Sequence, residues 1–367
     1  MKKRLLQAGF IIVLVFVLTT GYFGFRIAAT LSKKNLTETV ELPGCRMIPG
    51  AIGPEDFHYI PEAGALVISS TDRRKIDFEA GQLLWLDLSV PVERQAIVPF
   101  QSNYPERFAP HGITYQKTSP TGGNLFVISH RLQDGNRHSL EVFRLDFTGG
   151  TPGLTHTRTL ADDLLISPND LAALPDGTLF ISNDFQYLAG GFIGQVVDTV
   201  FQRHRAPLVY YDGQQFHDLN ANVTASPGIT YVTRGNAEFL YRADYMRDIV
   251  QKLRIIRTQS GVPAVKLVKE IDIQAGPDNF TVDEQGNVYV AAHYSTGLLM
   301  ATRNDPAVVS PTQIFRITPD DGFTVLYANR GDEISAASVA QLVGDRLIVG
   351  QIYEDGILSC PRIPTAF

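Results

Sequence analysis

Residues 167–184 have the sequence SPNDLAALPDGTLFISND, and this pattern is the clearest guide to the fold. The polar pair Asn169-Asp170 precedes a short apolar segment, a Pro-Asp-Gly turn and a second segment rich in Leu, Phe and Ile. Asp-Gly is common in the turns of β-hairpins, and β-branched and aromatic residues favour strands. The stretch therefore predicts a β-hairpin whose first strand begins at a polar pair.

The same arrangement recurs along the chain. Glu55-Asp56 precedes a turn at 61–64 and a strand at 66–68, and Asp278-Asn279 precedes a turn at 283–286 and a strand at 288–290. Weaker copies begin at three further positions, namely His111-Gly112-Ile113, Gly228-Ile229-Thr230 and Ser338-Val339. Successive starts lie about 50 to 60 residues apart, which is typical of the blades of a β-propeller. The sequence therefore predicts an all-β protein, a six-bladed β-propeller.

The positions of the hairpins give approximate blade boundaries. Blade one is assigned to residues 45–90, and blades four, five and six to 226–258, 266–317 and 324 onward. Two segments do not fit the pattern and are predicted to be insertions, one between Phe185 and His204 and one at Gly297–Asn304. The first either covers one mouth of the ring or is a plain surface loop.

Composition limits the class of protein. The chain has 367 residues and a formal net charge of −6, and nothing after residue 40 resembles an interdomain linker. A single closed propeller of this length is common. Binding to nucleic acid requires a basic surface, which this sequence lacks. We therefore predict one propeller domain at 45–367, preceded by a linker at 31–44, with no nucleic-acid partner.

The N-terminus differs from the rest of the chain. The basic residues Lys2, Lys3 and Arg4 precede an uncharged apolar run at 8–25. Such a run is about long enough to cross a bilayer, and basic residues before it favour a cytosolic N-terminus. We predict a signal-anchor at 1–30, with the propeller outside the cytosol in a periplasmic, extracellular or lumenal space. The alternative is a signal peptide cleaved near Ile27-Ala28-Ala29, which would give a secreted protein.

Only two cysteines occur, Cys45 and Cys360, and they bracket the six repeats. Disulfides persist in oxidising compartments outside the cytosol. A closed ring also brings its first and last blades together. We therefore predict a disulfide that joins the two ends of the propeller, the alternative being two unrelated buried thiols.

Polar residues open most of the inner strands. The innermost strands line the central channel, so their first residues converge at one end of it. These residues are Glu55-Asp56, His111, Asn169-Asp170, Pro227-Gly228, Asp278-Asn279 and Ser338. Carboxylate and amide oxygens without thiolates favour Ca²⁺ over Mg²⁺ or Zn²⁺. Each pair alone is also typical of turn residues that bond to local backbone, but three pairs in step with the repeat favour a metal site.

His111 lies at the same position in its blade as these polar pairs. Histidine accepts a proton readily near neutral pH, so a channel-facing His111 is a candidate general base. His130, at the end of the next strand of that blade, is a candidate to orient it. The alternative is a solvated loop histidine after Pro110.

With these residues in place, the chain resembles the serum paraoxonase/arylesterase family over nearly all of its length after residue 44. The resemblance includes the hydrophobic N-terminus, the two cysteines and seven phrases, namely Glu55-Asp56, Ala109-Pro110-His111-Gly112-Ile113, Val127-Ile128-Ser129-His130, Pro168-Asn169-Asp170, Ser182-Asn183-Asp184, Val209-Tyr210-Tyr211 and Asp278-Asn279-Phe280-Thr281-Val282-Asp283. It implies a six-bladed propeller with two calcium ions that hydrolyses lactones and aryl esters.

The resemblance also implies roles for individual residues. It assigns a catalytic calcium to Glu55, Asn169, Asp278 and Asn279. It assigns a deeper structural calcium to Asp56, Asp170 and the backbone of Ile113. His111 is implied to be the general base, with His130 behind it.

Two positions depart from the family pattern. Pro227 stands where the family has an asparagine ligand, so Ser226, Asn222 or a water must replace its oxygen, or the catalytic calcium binds more weakly. Phe185 stands where the family has a histidine.

Two alternatives to the esterase therefore remain. One is an exported, calcium-stabilised propeller that binds a protein or lipid without catalysis, and the other is a gluconolactonase-like sugar lactonase.

Overall fold

The computed structural model describes residues 2–30, 32, 36, 38–75, 80–105, 107–130, 138–150, 152–184 and 203–361. Six four-stranded antiparallel sheets form a six-bladed β-propeller, which confirms the predicted fold. In each blade the first-named strand below is the innermost one.

The strands follow chain order, except that the first strand belongs to the last blade. Blade one contains β2 (Pro54–Ile60), β3 (Ala65–Ser70), β4 (Gln82–Asp87) and β5 (Ile97–Pro99). Blade two contains β6 (Pro110–Ser119), β7 (Gly122–Ser129), β8 (Ser139–Asp146) and β9 (Gly153–Leu160). Blade three contains β10 (Pro168–Ala173), β11 (Leu179–Asn183), β12 (Val209–Tyr211) and β13 (Phe216–Asp218).

The second half of the ring has the same organisation. Blade four contains β14 (Ile229–Arg234), β15 (Ala237–Asp244), β16 (Ile249–Ile256) and β17 (Ala264–Asp272). Blade five contains β18 (Gly276–Val282), β19 (Val288–His293), β20 (Thr312–Ile317) and β21 (Phe323–Asn329). Blade six contains β22 (Ala337–Val343), β23 (Arg346–Gln351), β24 (Asp355–Cys360) and β1 (Arg46–Ile52). Two α-helices are described, α1 (Lys2–Thr30) and α2 (Thr296–Asn304).

The predicted blade boundaries were wrong for the outer strands. Residues 46–52 were placed in blade one, but β1 pairs with β24, with Met47 opposite Leu358, and so completes blade six. Similarly, β17 pairs with β16 of blade four and β21 pairs with β20 of blade five, one blade earlier than predicted. The N-terminal strand therefore closes the ring by hydrogen bonding to the last blade.

The predicted disulfide is present between Cys45 and Cys360, 315 residues apart in sequence. Cys45 directly precedes β1, and Cys360 ends its partner β24. The bond therefore reinforces the same seam that strand pairing closes.

Replacing Cys45 with Ser is expected to lower the melting temperature without changing the substrate profile. In the chain-entropy model, a loop this long stabilises the fold by up to about 5 kcal/mol. The pairing of β1 with β24 remains in the variant, so the ring is expected to close. Thermal unfolding of Cys45→Ser, with Cys360→Ser as its matched partner, measures the effect. An unchanged melting temperature in both variants would show that strand pairing alone secures the seam.

The N-terminal segment contains one helix that is suited to a membrane. Within α1, the 21-residue stretch Gly9–Ala29 is long and apolar enough on average to cross a bilayer, a test that a signal sequence also passes. Together with the disulfide, this helix indicates a propeller outside the cytosol, either membrane-anchored or secreted. Part of the predicted linker packs on the ring, since Val40 bridges to Ala328 and Leu42 is buried in the core.

Apolar packing between neighbouring blades holds the inner strands in place. One cluster joins Trp85 of blade one to Phe143 of blade two. Another joins Tyr241 of blade four to Phe280 and Phe315 of blade five. Because interiors are closely packed, residues that several blades contribute to the channel keep fixed relative positions.

Candidate metal centre and active site

Five inner strands carry a β-bulge where their polar residues begin. The pairing of inner and second strand shifts by one residue between Pro54 and Asp56, and between Pro168 and Leu171. The same shift occurs in blades two, five and six. A bulge places two residues opposite one and re-aims their side chains. This local geometry lets adjacent residues such as Asn169 and Asp170 make different contacts at the same end of the channel.

Asp56 and Asp170 occupy equivalent positions and connect neighbouring blades. Asp56 accepts backbone N–H hydrogen bonds from Phe57 at 2.8 Å and from Ile113 of blade two at 2.7 Å. Asp170 accepts them from Leu171 at 2.6 Å and from Ile229 of blade four at 2.8 Å. Both carboxylates are buried. Asp56 and Ile113, which were predicted to share one site, are therefore joined by a direct hydrogen bond.

Two glycines allow the blades to approach closely at this level. A Cβ on Gly112 would lie 2.2 Å from the carbonyl oxygen of Asn169, and one on Gly228 would lie 2.1 Å from that of Asp278. Any larger residue would displace the strands that carry these side chains. Gly112 and Gly228 make equivalent contacts with the next blade. Pro227, which precedes Gly228, is therefore the counterpart in blade four of His111 in blade two.

The two predicted asparagine ligands are held in one orientation by carboxylates. Asn169 Nδ2 donates to Asp184 Oδ2 at 2.7 Å, and Asn279 Nδ2 donates to Glu55 Oε1 at 2.8 Å. Flipping either amide would bring two oxygens together, so the network assigns Oδ1 to the other side. Both Oδ1 atoms are buried and have no hydrogen-bond partner among the described residues. Each asparagine thus presents an oxygen on the side away from its carboxylate, and the side chain of Asn169 raises the pKa of His111.

The buried carboxylates of the site repel one another. Burial raises the pKa of Glu55 to about 8, with Arg73 opposing the shift and Asp278 adding to it. Burial also raises the pKa of Asp56 and of Asp170 well above the usual value, and the pKa of Asp184 to about 7. In the absence of a cation, this part of the channel therefore favours neutral carboxyl groups.

The donor set fits a calcium ion. Glu55 Oε2, Asn169 Oδ1 and Asn279 Oδ1 are buried oxygens without a hydrogen-bond partner in the described part of the chain, although Glu55 Oε2 pairs with Arg73 Nη2 at 3.8 Å. Within that part, no three His, Cys, Asp or Glu side chains are arranged to hold a metal by themselves. Amide oxygens are therefore needed to complete a site, and a mixed carboxylate and amide set suits Ca²⁺ better than Zn²⁺. An unpaired buried polar atom is costly, and a bound ion would give such an oxygen a partner.

His111 is buried and contacts Arg73 and His130. The guanidinium of Arg73 donates to His111 Nδ1, with Nη2 at 3.0 Å and Nε at 3.3 Å. His111 Nε2 is buried and has no partner among the described residues. Burial, then His130 and Arg73, hold the pKa of His111 well below its usual value. This environment therefore favours the neutral ring, although a hydrogen bond with the Asn169 side chain raises the pKa.

His130 contacts His111 by stacking. Their ring centroids lie 4.3 Å apart at an interplanar angle of 27°, while His130 Nε2 donates to the carbonyl of Pro168 at 2.7 Å. A third ring, His138, packs on His130 at 4.8 Å. Burial lowers the pKa of His130 to about 3 and that of His138 to about 4. His130 thus supports His111 as a neutral stacking partner.

Four residues of this region were missed by the sequence interpretation, namely Arg73, His138, Asp184 and His293. His293 is buried and donates through Nε2 to Asp278 Oδ2 at 2.7 Å. His130, Asp184 and His293 share a position at the end of the second strand of their blades. Because that strand runs antiparallel to the inner one, it ends where the inner strand begins. A polar residue at the end of the second strand was therefore the sequence signal that could have identified Asp184 and His293.

The rim beside the site carries the second predicted insertion. Gly297–Asn304 lies within α2, where Ser295 caps the helix by accepting a hydrogen bond from the Leu298 N–H. The Thr302 carbonyl accepts from Arg74 Nη2 at 3.1 Å, which connects α2 to the loop that carries Arg73. The first predicted insertion lies mainly outside the described residues, and so does Phe185.

A cavity of about 400 Å³ follows the channel away from this rim. Its lining begins at Asp56, Asp170 and Ile229 and continues to the far ends of the inner strands at Tyr59 and Val343. Glu55, Asn169, Asp278, Asn279 and His111 do not line it. Along the channel, the candidate catalytic residues therefore lie on one side of Asp56 and Asp170, and this cavity lies on the other side.

Comparisons with known proteins identify the family of the chain. The family model described as Arylesterase matches residues 37–360. Human serum paraoxonase/arylesterase 2 is 24% identical over 88% of this chain and 90% of its own length. Mouse serum paraoxonase/lactonase 3 is 24% identical over 87% and 89%. A solved structure of a protein classed provisionally as a gluconolactonase has a TM-score of 0.51 at 14% identity and covers 89% of this chain and 93% of its own. This last similarity concerns the fold alone.

Proposed function

Because the chain belongs to the arylesterase family, we propose that it is a calcium-dependent hydrolase of lactones and aryl esters. The family match and the similarity to arylesterases and a lactonase support an ester or lactone hydrolase in general. The observation that carries the finer proposal is the set of buried oxygens on Glu55, Asn169 and Asn279 that have no hydrogen-bond partner among the described residues. We also propose that α1 is retained as a membrane anchor, the alternative being a secreted protein.

The proposal assigns the predicted ligands to two calcium ions. Glu55, Asn169, Asp278 and Asn279 would hold the catalytic ion at the start of the inner strands. Asp56, Asp170 and the backbone of Ile113 would hold the deeper one. When bound, the catalytic calcium would polarise the substrate carbonyl and stabilise the negative charge that develops on its oxygen.

The residues around the ion orient ligands and substrate. Asp184 and Glu55 fix the two asparagine amides, so that both free oxygens stay in place before substrate arrives. His111, buried beside Glu55, is the predicted general base. The sequence has no Gly-x-Ser-x-Gly motif. We therefore propose direct attack by water, which gives acid and alcohol without a covalent acyl-enzyme.

Metal analysis and a substrate panel test this function together. The purified protein is assayed with lactones of different chain length, aryl esters and a sugar lactone, with and without a chelator. Bound calcium and chelator-sensitive hydrolysis would support the proposal, and activity on the sugar lactone alone would favour the gluconolactonase-like alternative. Bound calcium without hydrolysis of any substrate would contradict it and favour the non-catalytic propeller.

Pro227 is the feature that favours a non-catalytic propeller. It is buried at the position equivalent to His111, and its side chain offers no oxygen. Asn222 Oδ1 and Ser226 Oγ, the two predicted substitutes, are buried without partners among the described residues. Calcium accepts water in place of a protein ligand, so the site would survive with weaker affinity.

Replacing Pro227 with Asn is therefore expected to tighten calcium binding at the catalytic site. The variant regains an amide oxygen, and we expect the calcium concentration that gives half-maximal activity to fall by about tenfold. Calcium titration of hydrolysis measures this change, with Pro175→Asn in an exposed turn as the control. If neither calcium dependence nor turnover changes, position 227 does not face the ion.

A further inference from the structure

The channel cavity connects the deeper candidate site to the side of the ring opposite α2. At its inner end the cavity of about 400 Å³ is lined by Asp56 and Asp170. At its other end it is lined by Pro61, Glu284 and Gly344, which lie in the turns of the inner hairpins and are exposed. We call this exposed end the far mouth. The cavity therefore joins Asp56 and Asp170 to solvent without passing the rim that carries the candidate catalytic residues.

The lining of the cavity favours cations. Four carboxyl groups line it, Asp56 and Asp170 at the inner end and Asp283 and Glu284 at the far mouth, whereas no Lys or Arg among the described residues does. A cleft whose charges have one sign and whose walls have a low dielectric constant concentrates ions of the opposite sign. The far mouth is therefore expected to attract calcium and to repel anions.

The cavity is also large and polar enough for a hydrated ion. A volume of about 400 Å³ holds on the order of ten waters at about 30 Å³ each. Thr230 and Tyr115 line the cavity, and the Tyr115 hydroxyl is buried without a hydrogen-bond partner among the described residues. Calcium retains waters in its flexible coordination shell. A calcium ion can therefore reach the inner end before it loses all of its bound water.

Asp56 and Asp170 can receive a cation at that inner end. Each of their four carboxylate oxygens accepts one backbone N–H hydrogen bond. A carboxylate offers about four lone-pair sites, so each side chain keeps capacity for a further partner. The inner end of the cavity thus has oxygen ligands that the ring itself holds in place.

The path from the rim differs in two respects. An ion that entered there would pass the four proposed ligands of the catalytic calcium, none of which lines the cavity. Arg73 Nη2 also lies 3.8 Å from Glu55 Oε2, which places a positive charge beside that path. Like charges repel strongly where water is scarce. Calcium bound at the catalytic site would therefore obstruct a second calcium that approached from the rim.

We propose that this cavity is the route by which the deeper calcium enters and leaves, so that the deeper ion exchanges through the far mouth and the catalytic ion at the rim. This inference rests on the proposed function, which assigns two calcium ions to the channel. It follows that the deeper ion can exchange while the active site is occupied.

Release of radiolabelled calcium from the full-length protein into excess unlabelled calcium measures both ions. We expect two kinetic phases. The phase that is missing in Asp170→Asn belongs to the deeper ion, and Asp56→Asn makes the same assignment if Asp170→Asn does not fold.

A bulky neutral thiol label then tests the route. Both native cysteines form the disulfide, so Thr230→Cys introduces a single free thiol in the lining. Labelling this variant is expected to slow the deeper phase by about tenfold or more, because release then requires local opening of the ring. The same label on Met300→Cys, which is exposed on α2, is expected to leave that phase unchanged. Gln285→Cys, exposed at the far mouth, repeats the test if labelled Thr230→Cys does not fold.

Charge reversal at the far mouth gives an independent test. Glu284→Lys is expected to slow calcium uptake by the deeper site about threefold at low ionic strength, and less at high salt. Glu93→Lys is the matched control, because Glu93 is an exposed carboxylate that pairs with Arg46 outside the channel.

The outcomes separate the route from the proposed function. An unchanged deeper phase in labelled Thr230→Cys, or an equal slowing by the label on Met300→Cys, would overturn the route. Hydrolysis with a single bound calcium that Asp170→Asn retains would also overturn the route and leave the hydrolase intact. Two phases with the expected response to the label but no hydrolysis of any substrate would instead overturn the proposed function and leave the route standing.

Discussion

Removal of calcium is expected to stop hydrolysis and to lower the melting temperature by about 5 °C or more. Glu55, Asp56, Asp170 and Asp278 are all buried at one end of the channel. Because these ligands come from separate blades, the free energy of calcium binding is also free energy of folding. Ligand at 100 times its dissociation constant adds about 2.7 kcal/mol, which is several degrees for a chain of this size. Thermal unfolding before and after exhaustive chelation measures the change.

The pH dependence of the calcium-free protein gives a second measurement of the same effect. The pKa of Glu55 is raised from 4.5 to about 8, mainly by burial. A carboxyl group whose pKa is raised on folding stabilises the folded protein at pH values below its unfolded pKa. This stabilisation is lost as the pH rises through the pKa of the group in the folded protein. The calcium-free protein is therefore expected to be less stable at pH 8 than at pH 5. Calcium binds the ionised carboxylates, so added calcium should stabilise the protein more at pH 8.

Matched variants separate this effect from general surface charge. Asp170→Asn removes one buried charge and should reduce the response to chelation, whereas Asp212→Asn removes a carboxylate that bonds His217 outside the channel and should not. Restoring the melting temperature with Ca²⁺ but not with equimolar Mg²⁺ is also expected, because Mg²⁺ requires a tighter octahedral site. If chelation leaves the melting temperature unchanged, the channel carboxylates do not hold calcium in the folded protein.

The inner half of each blade could be predicted because its sequence signals are local. A polar pair, an apolar strand, a turn and a second strand lie within about 18 residues in Ser167–Asp184 and recur in the other blades. The alternation and turn chemistry of such a unit are contained in neighbouring residues. The periodicity then gave the number of blades, and the structure agrees.

The outer strands could not be assigned in the same way. β5 and β13 have only three residues each, too few for a periodic pattern. β1 precedes blade one in sequence but pairs with β24, which is more than 300 residues away. Closure of a ring depends on where the chain returns in space, and this information is absent from the local sequence around Arg46–Ile52.

The candidate site was predictable only in part, for a related reason. The adjacent polar pairs stand out because three of them occur in step with the repeat. Asp184 and His293 each occur singly after an apolar strand, and Arg73 lies among other charged residues in a loop. Their contacts with Asn169, Asp278 and His111 depend on antiparallel pairing and loop conformation. Sequence spacing therefore identified candidate metal ligands but not the side chains that orient them.

Replacing Asn169 with Ala is expected to reduce kcat/KM by about 100-fold or more while the propeller remains folded. The substitution removes Asn169 Oδ1, whose direction is fixed by the hydrogen bond from Asn169 Nδ2 to Asp184. This oxygen has no hydrogen-bond partner among the described residues. It leaves Asp56 and Asp170 in place, so the deeper calcium should still support the fold. Steady-state kinetics across a range of calcium concentrations, together with thermal unfolding, measures both consequences.

Two further variants distinguish loss of a ligand from loss of packing. Asp184→Asn keeps an oxygen that can accept from Asn169 Nδ2, so the orientation of Asn169 and most of the activity should survive. Asp184→Ala removes that acceptor and should raise the calcium requirement, because the freed amide can turn its oxygen away from the ion. Asn124→Ala, whose amide bonds only Gln116 among the described residues, is the control for removing an amide elsewhere. If Asn169→Ala retains wild-type activity and calcium dependence, its oxygen is not a ligand, and the catalytic ion must be held by Glu55, Asp278 and Asn279 without blade three.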